Sequence, residues 1–305
     1  MDRVRKQLGI DTIHKQGITG KNVTVCVLDS GIFMHRDLNH HVVELQDFTT
    51  DKKLKNTMRD DCGHGTHVCG ILAGTGVASK GKYTGVAPDV KLIVGKILDR
   101  NGKGKMQDLM TGLEWVLNHH ETYHIRIINI SVGMSETKDT LGNDGEKRHI
   151  LQQYLKQLYD KNILVITAAG NMGPAKNSLS ILGENIQTIC VGCHDGNMDF
   201  QGRKKCEWYS GRGPSIYSLK KPDVVAPGTE IVSCFHKNPY GYIKKSGTSM
   251  ACPIVSGLAA LYLEKYPDTD VDMLMNRIKS ATNDLGESWS KQGYGMVDAA
   301  KLFSR

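Results

Sequence analysis

The stretch VTVCVLD, residues 23–29, is apolar at almost every position and ends in Asp29. Four more runs of the same kind follow it, each rich in valine and isoleucine. Runs that are apolar throughout, without alternation, are typical of strands buried on both faces of a parallel sheet. The sequence therefore predicts five central strands, at residues 23–29, 90–98, 125–132, 163–170 and 186–192.

Between these runs the apolar spacing changes to that of helices. Residues 106–120 and 149–160 each carry apolar side chains three and four positions apart, which places them on one face of a helix. Alternating strands and helices predict an α/β fold, a doubly wound, mainly parallel β-sheet flanked by helices. We expect one domain over residues 1–305, with residues 1–20 as an N-terminal extension and residues 194–221 as surface loops.

The charge balance argues against a nucleic-acid partner. Lys and Arg number 39 and Asp and Glu 32, a formal net charge of +7, and the basic residues form short scattered pairs without interleaved aromatic residues. Such a diffuse excess favours a solvated surface. No apolar run approaches the length of a membrane span, so we expect no membrane partner. The oligomeric state is not indicated.

The cysteines and the first residues bear on the compartment. The eight cysteines lack the short repeating spacings of a disulfide scaffold, so we expect buried free thiols. The first residues contain no apolar stretch of signal-peptide length, which favours a cytoplasmic protein. A secreted mature chain that has lost a leader and a pro-segment is the alternative.

Four polar residues stand where a doubly wound sheet gathers its working groups. Asp29 closes the first run, Asn171 follows the fourth, and His64 and Ser249 stand near the starts of two helices. An acid, a histidine and a serine are the parts of nucleophilic catalysis, in which the histidine takes the serine proton and the acid orients the imidazole. Asn171 and the Ser249 backbone N–H are candidate donors to an oxyanion. Singly, each residue also suits a turn or a helix cap.

Seven blocks in order carry a family resemblance. VLDSGI, HGTHVCGILAG, GVAP, NISVG, AAGN, KPDVVAPG and SGTSMACPIVSGLAALY resemble the subtilisin-like serine proteases, the subtilases, over residues 20–300. The resemblance implies a serine endopeptidase that works through an acyl-enzyme intermediate. It gives Asp29, His64 and Ser249 the roles of the catalytic triad, and it makes Asn171 and Ser249 the oxyanion hole. The short segment before Asp29 also fits an intracellular-type member.

The resemblance also implies where a peptide substrate lies. An extended peptide would pair with two edge segments, Lys103 to Lys105 around Gly104, and Ser131, Val132 and Gly133. The positions that match the apolar pocket four residues before the cleavage point are Leu98, Met106, Leu109 and Val132. For Met106, Leu109 and Val132, simple core packing is the competing interpretation.

The residue preferred before the cut depends on the side chains beside Asn171. Met172 follows Asn171 and no acid stands in AAGNMG or SVGMS, so we expect an apolar residue there. Asp61 opposes this, because an acid near the catalytic histidine selects basic residues in the processing branch of the family. Turn structure or tuning of His64 is the other interpretation of Asp60 and Asp61. A pseudoprotease that acts as a binding scaffold remains an alternative from a different class, and a nucleotide-binding α/β protein lacks the glycine-rich motif it requires.

Two metals come into question. Subtilases often bind calcium in the loop after the histidine helix, but here that loop, GTGVASKGKYTGVAP, is rich in lysine, so no cofactor is expected beyond a weaker calcium or monovalent cation site. Four residues in DDCGHGTHVCG could be written as zinc ligands. These are Cys62, His64, His67 and Cys69. The resemblance instead makes His64 the general base, and it makes His67 and Cys69 packed residues. Cys62 is then a thiol beside the cleft, which is either open to modification or buried and unreactive.

Overall fold

A nine-stranded sheet forms the centre of the molecule. The computed structural model describes residues 1–49, 60–133 and 144–304. The strands stand in the order β10-β11-β7-β6-β5-β4-β1-β3-β2, and each neighbouring pair is parallel except β10 and β11. Their bounds are β1 Thr24–Asp29, β2 Val42–Asp47, β3 Lys91–Lys96, β4 Ile125–Ile130, β5 Leu164–Ala168, β6 Thr188–Cys193, β7 Val224–Ala226, β10 Thr282–Asn283 and β11 Met296–Val297. A separate antiparallel hairpin joins β8 Ile231–Cys234 to β9 Tyr242–Lys245.

Helices cover both faces of this sheet. They are α1 Asp2–Gln7, α2 Ile10–Lys15, α3 His64–Ala73, α4 Met106–Tyr123, α5 Asp144–Asp160, α6 Thr248–Lys265, α7 Val271–Ser280, α8 Trp289–Gln292 and α9 Ala299–Phe303. One buried apolar cluster contains side chains of α3 and α6, and a second contains those of α4 and α5. The predicted α/β fold is confirmed.

Strand β1 shows how the sequence builds the two faces. Val25 and Val27 belong to the cluster with α3 and α6, whereas Cys26 and Leu28 belong to the cluster with α4 and α5. Successive side chains of a strand point to opposite faces, so a central strand with helices on both sides must be apolar at every position. The strand ends at Asp29, which is therefore carried to the carboxyl edge of the sheet.

Two segments differ from the sequence prediction. Residues 1–20, expected to be an extension, contain α1 and α2, whose apolar side chains are buried in the larger cluster. Within 194–221, expected to be surface loops, Cys206 is buried and forms a disulfide with Cys193, where a free thiol was expected. The other six cysteines are free. Extent as one domain over residues 1–305 stays a prediction.

Candidate active site

Asp29 and His64 meet at the carboxyl edge of the sheet. The Asp29 side chain is fully buried, and its Oδ1 lies 2.7 Å from Nδ1 of His64. The same oxygen accepts the backbone N–H of Ser30 at 2.7 Å. The contact uses Nδ1 of the imidazole and leaves Nε2 for another partner, which is the tautomer that a general base requires.

Asp60 fixes the start of the helix that carries His64. Its Oδ1 accepts the Gly63 N–H at 2.6 Å and the Ser30 hydroxyl at 2.7 Å. Its Oδ2 accepts the N–H and the hydroxyl of Thr66 at 2.8 and 2.6 Å. Gly63 has φ +75°, a left-handed conformation that suits glycine. Asp60 therefore satisfies N–H groups at the open end of α3 and has the structural role that was one of its two interpretations.

Ser249 is the second residue of α6, and its side chain and backbone are only 8% exposed. The residue before the helix, Gly247, donates its N–H to the carbonyl of Gly228 at 3.0 Å. A Cβ on Gly228 would lie 2.6 Å from the carbonyl oxygen of Gly247 and 2.6 Å from the sulfur of Cys193. The backbone at Gly228 therefore lies very close to the backbone that precedes α6. Helices α3 and α6 pack against each other, and they carry His64 and Ser249 in their first turns.

Asn171 is tied to the residue before Ser249. Its Oδ1 accepts the N–H and the hydroxyl of Thr248, both at 3.1 Å. The Thr248 hydroxyl in turn accepts the Gly170 N–H at 3.2 Å. Because the amide oxygen is committed to these donors, the Nδ2 group is left to donate elsewhere, beside Gly247. Thr248 is a positioning residue that sequence reasoning missed; its place between a glycine and Ser249 carried the only signal.

The surroundings of His64 raise its pKa. Burial lowers the pKa of the imidazole, but the charge and hydrogen bond of Asp29 raise it, and the net direction is upward. Lys245 lowers the pKa of His64 and Asp60 raises it. Lys245 ends β9 and was not predicted as a site residue, because nothing in its local sequence links it to residue 64.

The predicted peptide-binding segments lie at the same edge of the sheet. Gly104 forms an isolated antiparallel bridge with Leu98, and a Cβ at Gly104 would lie 2.5 Å from that leucine side chain. Ser131 to Gly133 follow β4, and a Cβ at Gly133 would lie 3.7 Å from the Cα of Gly170. Both segments therefore border the region of Asp29 and Asn171.

The predicted apolar pocket stays a prediction. Leu109 is 0% exposed, which favours the competing interpretation of core packing for this residue. Leu98 and Val132 are also buried, whereas Met106 is only partly buried. Met172, beside the oxyanion candidate, is 73% exposed.

Asp61 has an ion-pair partner. Its carboxylate lies 3.6 Å from the ammonium group of Lys96, at the end of β3. A basic substrate side chain would share this acid with Lys96, and selection of basic residues by Asp61 stays a prediction.

The four residues written as zinc ligands have other partners. His67 is buried, and its Nε2 lies 3.0 and 3.1 Å from the carbonyls of Ile231 and Ile243. Burial, with the charge of Lys245, lowers the pKa of His67 to about 3. Cys69 is fully buried in the core, and burial raises its thiol pKa. Burial, followed by the charge of Asp60, also raises the pKa of Cys62, which is half-buried and packs near Gly102.

Two other groups of potential ligands in the described parts of the chain are also committed. In the first group, Nδ1 of His35 accepts the Asp37 N–H at 3.1 Å, and Nε2 of His35 lies 2.9 Å from the carbonyl of Gly241. The carboxylate of Asp37 accepts the hydroxyl of Tyr242. In the second, two of the three members are the disulfide cysteines, and Asp195 pairs with Arg3 at 3.2 Å. The weaker cation site stays a prediction.

Comparisons with known proteins bear on the family and the fold of this chain. The model of the Subtilase family matches residues 20–297. The chain is 36% identical over 302 residues to the serine protease AprX of Bacillus subtilis (strain 168), a match that covers 93% of this chain and 66% of that protein. It is 33% identical over 295 residues to subtilisin DY of Bacillus licheniformis, covering 94% of this chain and 93% of that protein.

A solved structure gives the same answer for the fold. Sphericase superposes with a TM-score of 0.79 and 26% sequence identity, over 95% of this chain and 97% of the other. The chain therefore belongs to the subtilase family of serine proteases, and so to the hydrolases. The resemblance predicted from the seven sequence blocks is confirmed.

Proposed function

We propose that this chain is a serine endopeptidase whose nucleophile is Ser249, whose general base is His64 and whose orienting acid is Asp29. The observation that carries the proposal is the 2.7 Å contact of Asp29 with His64, at the start of a helix that packs against the helix whose second residue is Ser249. Its substrates are polypeptides, as family membership implies.

The reaction divides into two acyl transfers. Ser249 Oγ bonds to the scissile carbonyl carbon while its proton passes to Nε2 of His64, and the carbonyl π electrons move onto oxygen. The Ser249 N–H and the Asn171 amide stabilise that oxyanion. Collapse breaks the C–N bond, His64 protonates the leaving amine, and an ester remains on Ser249. Water, deprotonated by His64, repeats the sequence on the ester and releases the acid.

A fluorophosphonate probe tests this proposal, since it labels an activated serine. We expect labelling of the wild-type protein and of Ser246→Ala, a control in the same segment whose hydroxyl accepts the Glu230 N–H at 2.8 Å. Ser249→Ala and His64→Ala should neither label nor cleave casein. A wild-type protein that neither labels nor cleaves would instead favour the pseudoprotease scaffold and overturn the enzyme assignment.

We also propose an apolar residue before the cleavage point. The exposed Met172 beside Asn171 supports an apolar contact there, and the Lys96 partner of Asp61 weakens the alternative of basic selectivity. A peptide library that varies this residue tests the preference. A clear ranking of Lys or Arg first would reject it in favour of a processing protease.

The cytoplasmic location is likewise our proposal, supported by six free cysteines, five of them buried. The alternative is a secreted mature chain, which the Cys193–Cys206 disulfide favours, because disulfides are rare in cytosolic proteins. Within residues 1–49, 60–133 and 144–304, no helix has both the length and the apolar character needed to cross a membrane. Cell fractionation with an antibody to the chain separates the two locations.

A further inference from the structure

The side chain of Arg5 reaches from α1 into the loop that follows the histidine helix. The residue is only 9% exposed. Its Nη1 donates to the carbonyl of Thr84 at 2.6 Å and to that of Lys82 at 3.3 Å, and its Nη2 donates to the carbonyl of Gly81 at 3.3 Å. Its Nε donates to Oδ1 of Asp11 at 2.8 Å. One guanidinium thus serves three backbone carbonyls and a carboxylate.

The loop itself is wound so that its carbonyls converge. Gly76 and Gly81 have φ +71° and +84°, and the Gly81 N–H donates to the Gly76 carbonyl at 2.8 Å. The loop closes on the Gly74 carbonyl, to which Gly85 donates at 2.7 Å. Carbonyls that converge on one point need donors or a cation there, because their oxygens repel one another and a carbonyl that loses water without gaining a partner is costly.

Carbonyl oxygens with a nearby carboxylate are the ligand set that hard cations prefer. Here the guanidinium already occupies these oxygens. Asp37, another acid against the loop, is also committed, because it accepts the Ala78 N–H at 2.9 Å and the Tyr242 hydroxyl at 2.6 Å. The calcium that subtilases often bind in this loop therefore does not fit here, in line with the lysine-rich sequence.

We propose that Arg5 is a built-in cation that takes the place of a bound metal ion in the loop of residues 75–84. The loop continues directly into residues bonded to α3: Val86 and Ala87 donate to the carbonyls of Ile71 and Leu72 at 2.9 and 2.8 Å. Arg5 therefore ties the N-terminal helices to the far end of the helix that begins with His64. This inference is independent of catalysis and can be tested by stability alone.

The test compares melting temperatures in excess EDTA and in millimolar calcium. Lys6→Ala is the matched control, because Lys6 is exposed and adjacent to Arg5 on α1. We expect the melting temperatures of the wild type and of Lys6→Ala to be the same in both conditions. Arg5→Ala should melt roughly 5–10 °C lower in EDTA, and calcium should restore part of that loss by binding the vacated oxygens.

Two further variants keep the proposal falsifiable. Arg5→Ala combined with Asp11→Ala should lose the recovery by calcium, because the carboxylate ligand is gone. If Arg5→Ala does not fold, Arg5→Gln, which removes the charge but keeps a long side chain with donors, should melt below the wild type and should gain a calcium response. A wild type that calcium stabilises as strongly as the variants would overturn the proposal. So would an Arg5→Ala protein that no cation restores, since Arg5 would then be only a hydrogen-bonding tie.

Discussion

Oδ1 of Asp29 lies 2.7 Å from Nδ1 of His64, and the same oxygen accepts the Ser30 N–H. The Ser30 N–H therefore fixes the Asp29 carboxylate in the position from which it orients the imidazole. Replacing it with a group that can donate as well as accept removes the preference for the productive tautomer.

We accordingly expect Asp29→Asn to lower kcat by about 10⁴-fold with little change in KM, as in other serine-protease triads. Steady-state kinetics on a peptide anilide measures both constants. Asp61→Asn, which alters a partly exposed acid in the turn before α3, should stay near the wild-type value. A loss of less than about tenfold in Asp29→Asn would contradict the assigned role.

The raised pKa of His64 predicts the acid limb of the pH profile. The imidazole must be neutral to accept a proton, so kcat/KM should fall as the pH drops through a pKa above the ordinary histidine value. Lys245 lowers the pKa of His64, so Lys245→Gln should shift this limb to higher pH. Lys244→Gln is the control, because Lys244 is exposed and pairs with Glu230 at 3.1 Å. A limb that does not move in Lys245→Gln would show that its charge is screened from the base.

The oxyanion donor should act on turnover and not on binding. Asn171→Ala should reduce kcat by about 10²- to 10³-fold at nearly constant KM. Thr248→Val removes the hydroxyl that holds the amide oxygen of Asn171, so we expect a smaller loss in the same constant. If KM rises and kcat stays unchanged in Asn171→Ala, the amide binds the ground state instead.

Asp60 should matter for stability more than any other acid near the site. Asp60→Ala leaves four donors of Ser30, Gly63 and Thr66 without their acceptor, which should cost about 3 kcal/mol of unfolding free energy. Urea denaturation of Asp60→Ala and Asp61→Ala measures the unfolding free energy of both variants. Asp60 is buried and its neighbour Asp61 is exposed, so only the first variant should be strongly destabilised. Equal midpoints in the two variants would argue against the capping role.

Much of the fold could be predicted because the five central strands are apolar on both faces. Each of the five appears within about two residues of its predicted bounds. Strand β2 was missed because it lies at the sheet edge, where half-exposed residues such as Glu44 and Gln46 break the apolar run. Strands β10 and β11 have two residues each, too few for any periodicity to be visible.

The site divides in the same way. Asp29 could be located because it ends a buried strand, and Asn171 because it follows one. His64 and Ser249 could be located because glycine-rich segments mark the starts of their helices. The contacts of Arg5 with Thr84, 79 positions away, and the effect of Lys245 on His64 depend on tertiary packing. Local pattern carries no information on such pairs. Burial of Leu109 was hidden for a related reason, since core and pocket positions on α4 have the same spacing.

Gly228 sits between the sulfur of Cys193 and the backbone of Gly247, and its carbonyl holds the residue two positions before Ser249. A single added methyl group would have to displace either the disulfide or the backbone that leads to the nucleophile. A saturation mutagenesis screen for activity would therefore score Gly228 among the least tolerant positions of the chain. Such a screen would therefore identify residues needed for activity that lie behind the residues in contact with the substrate.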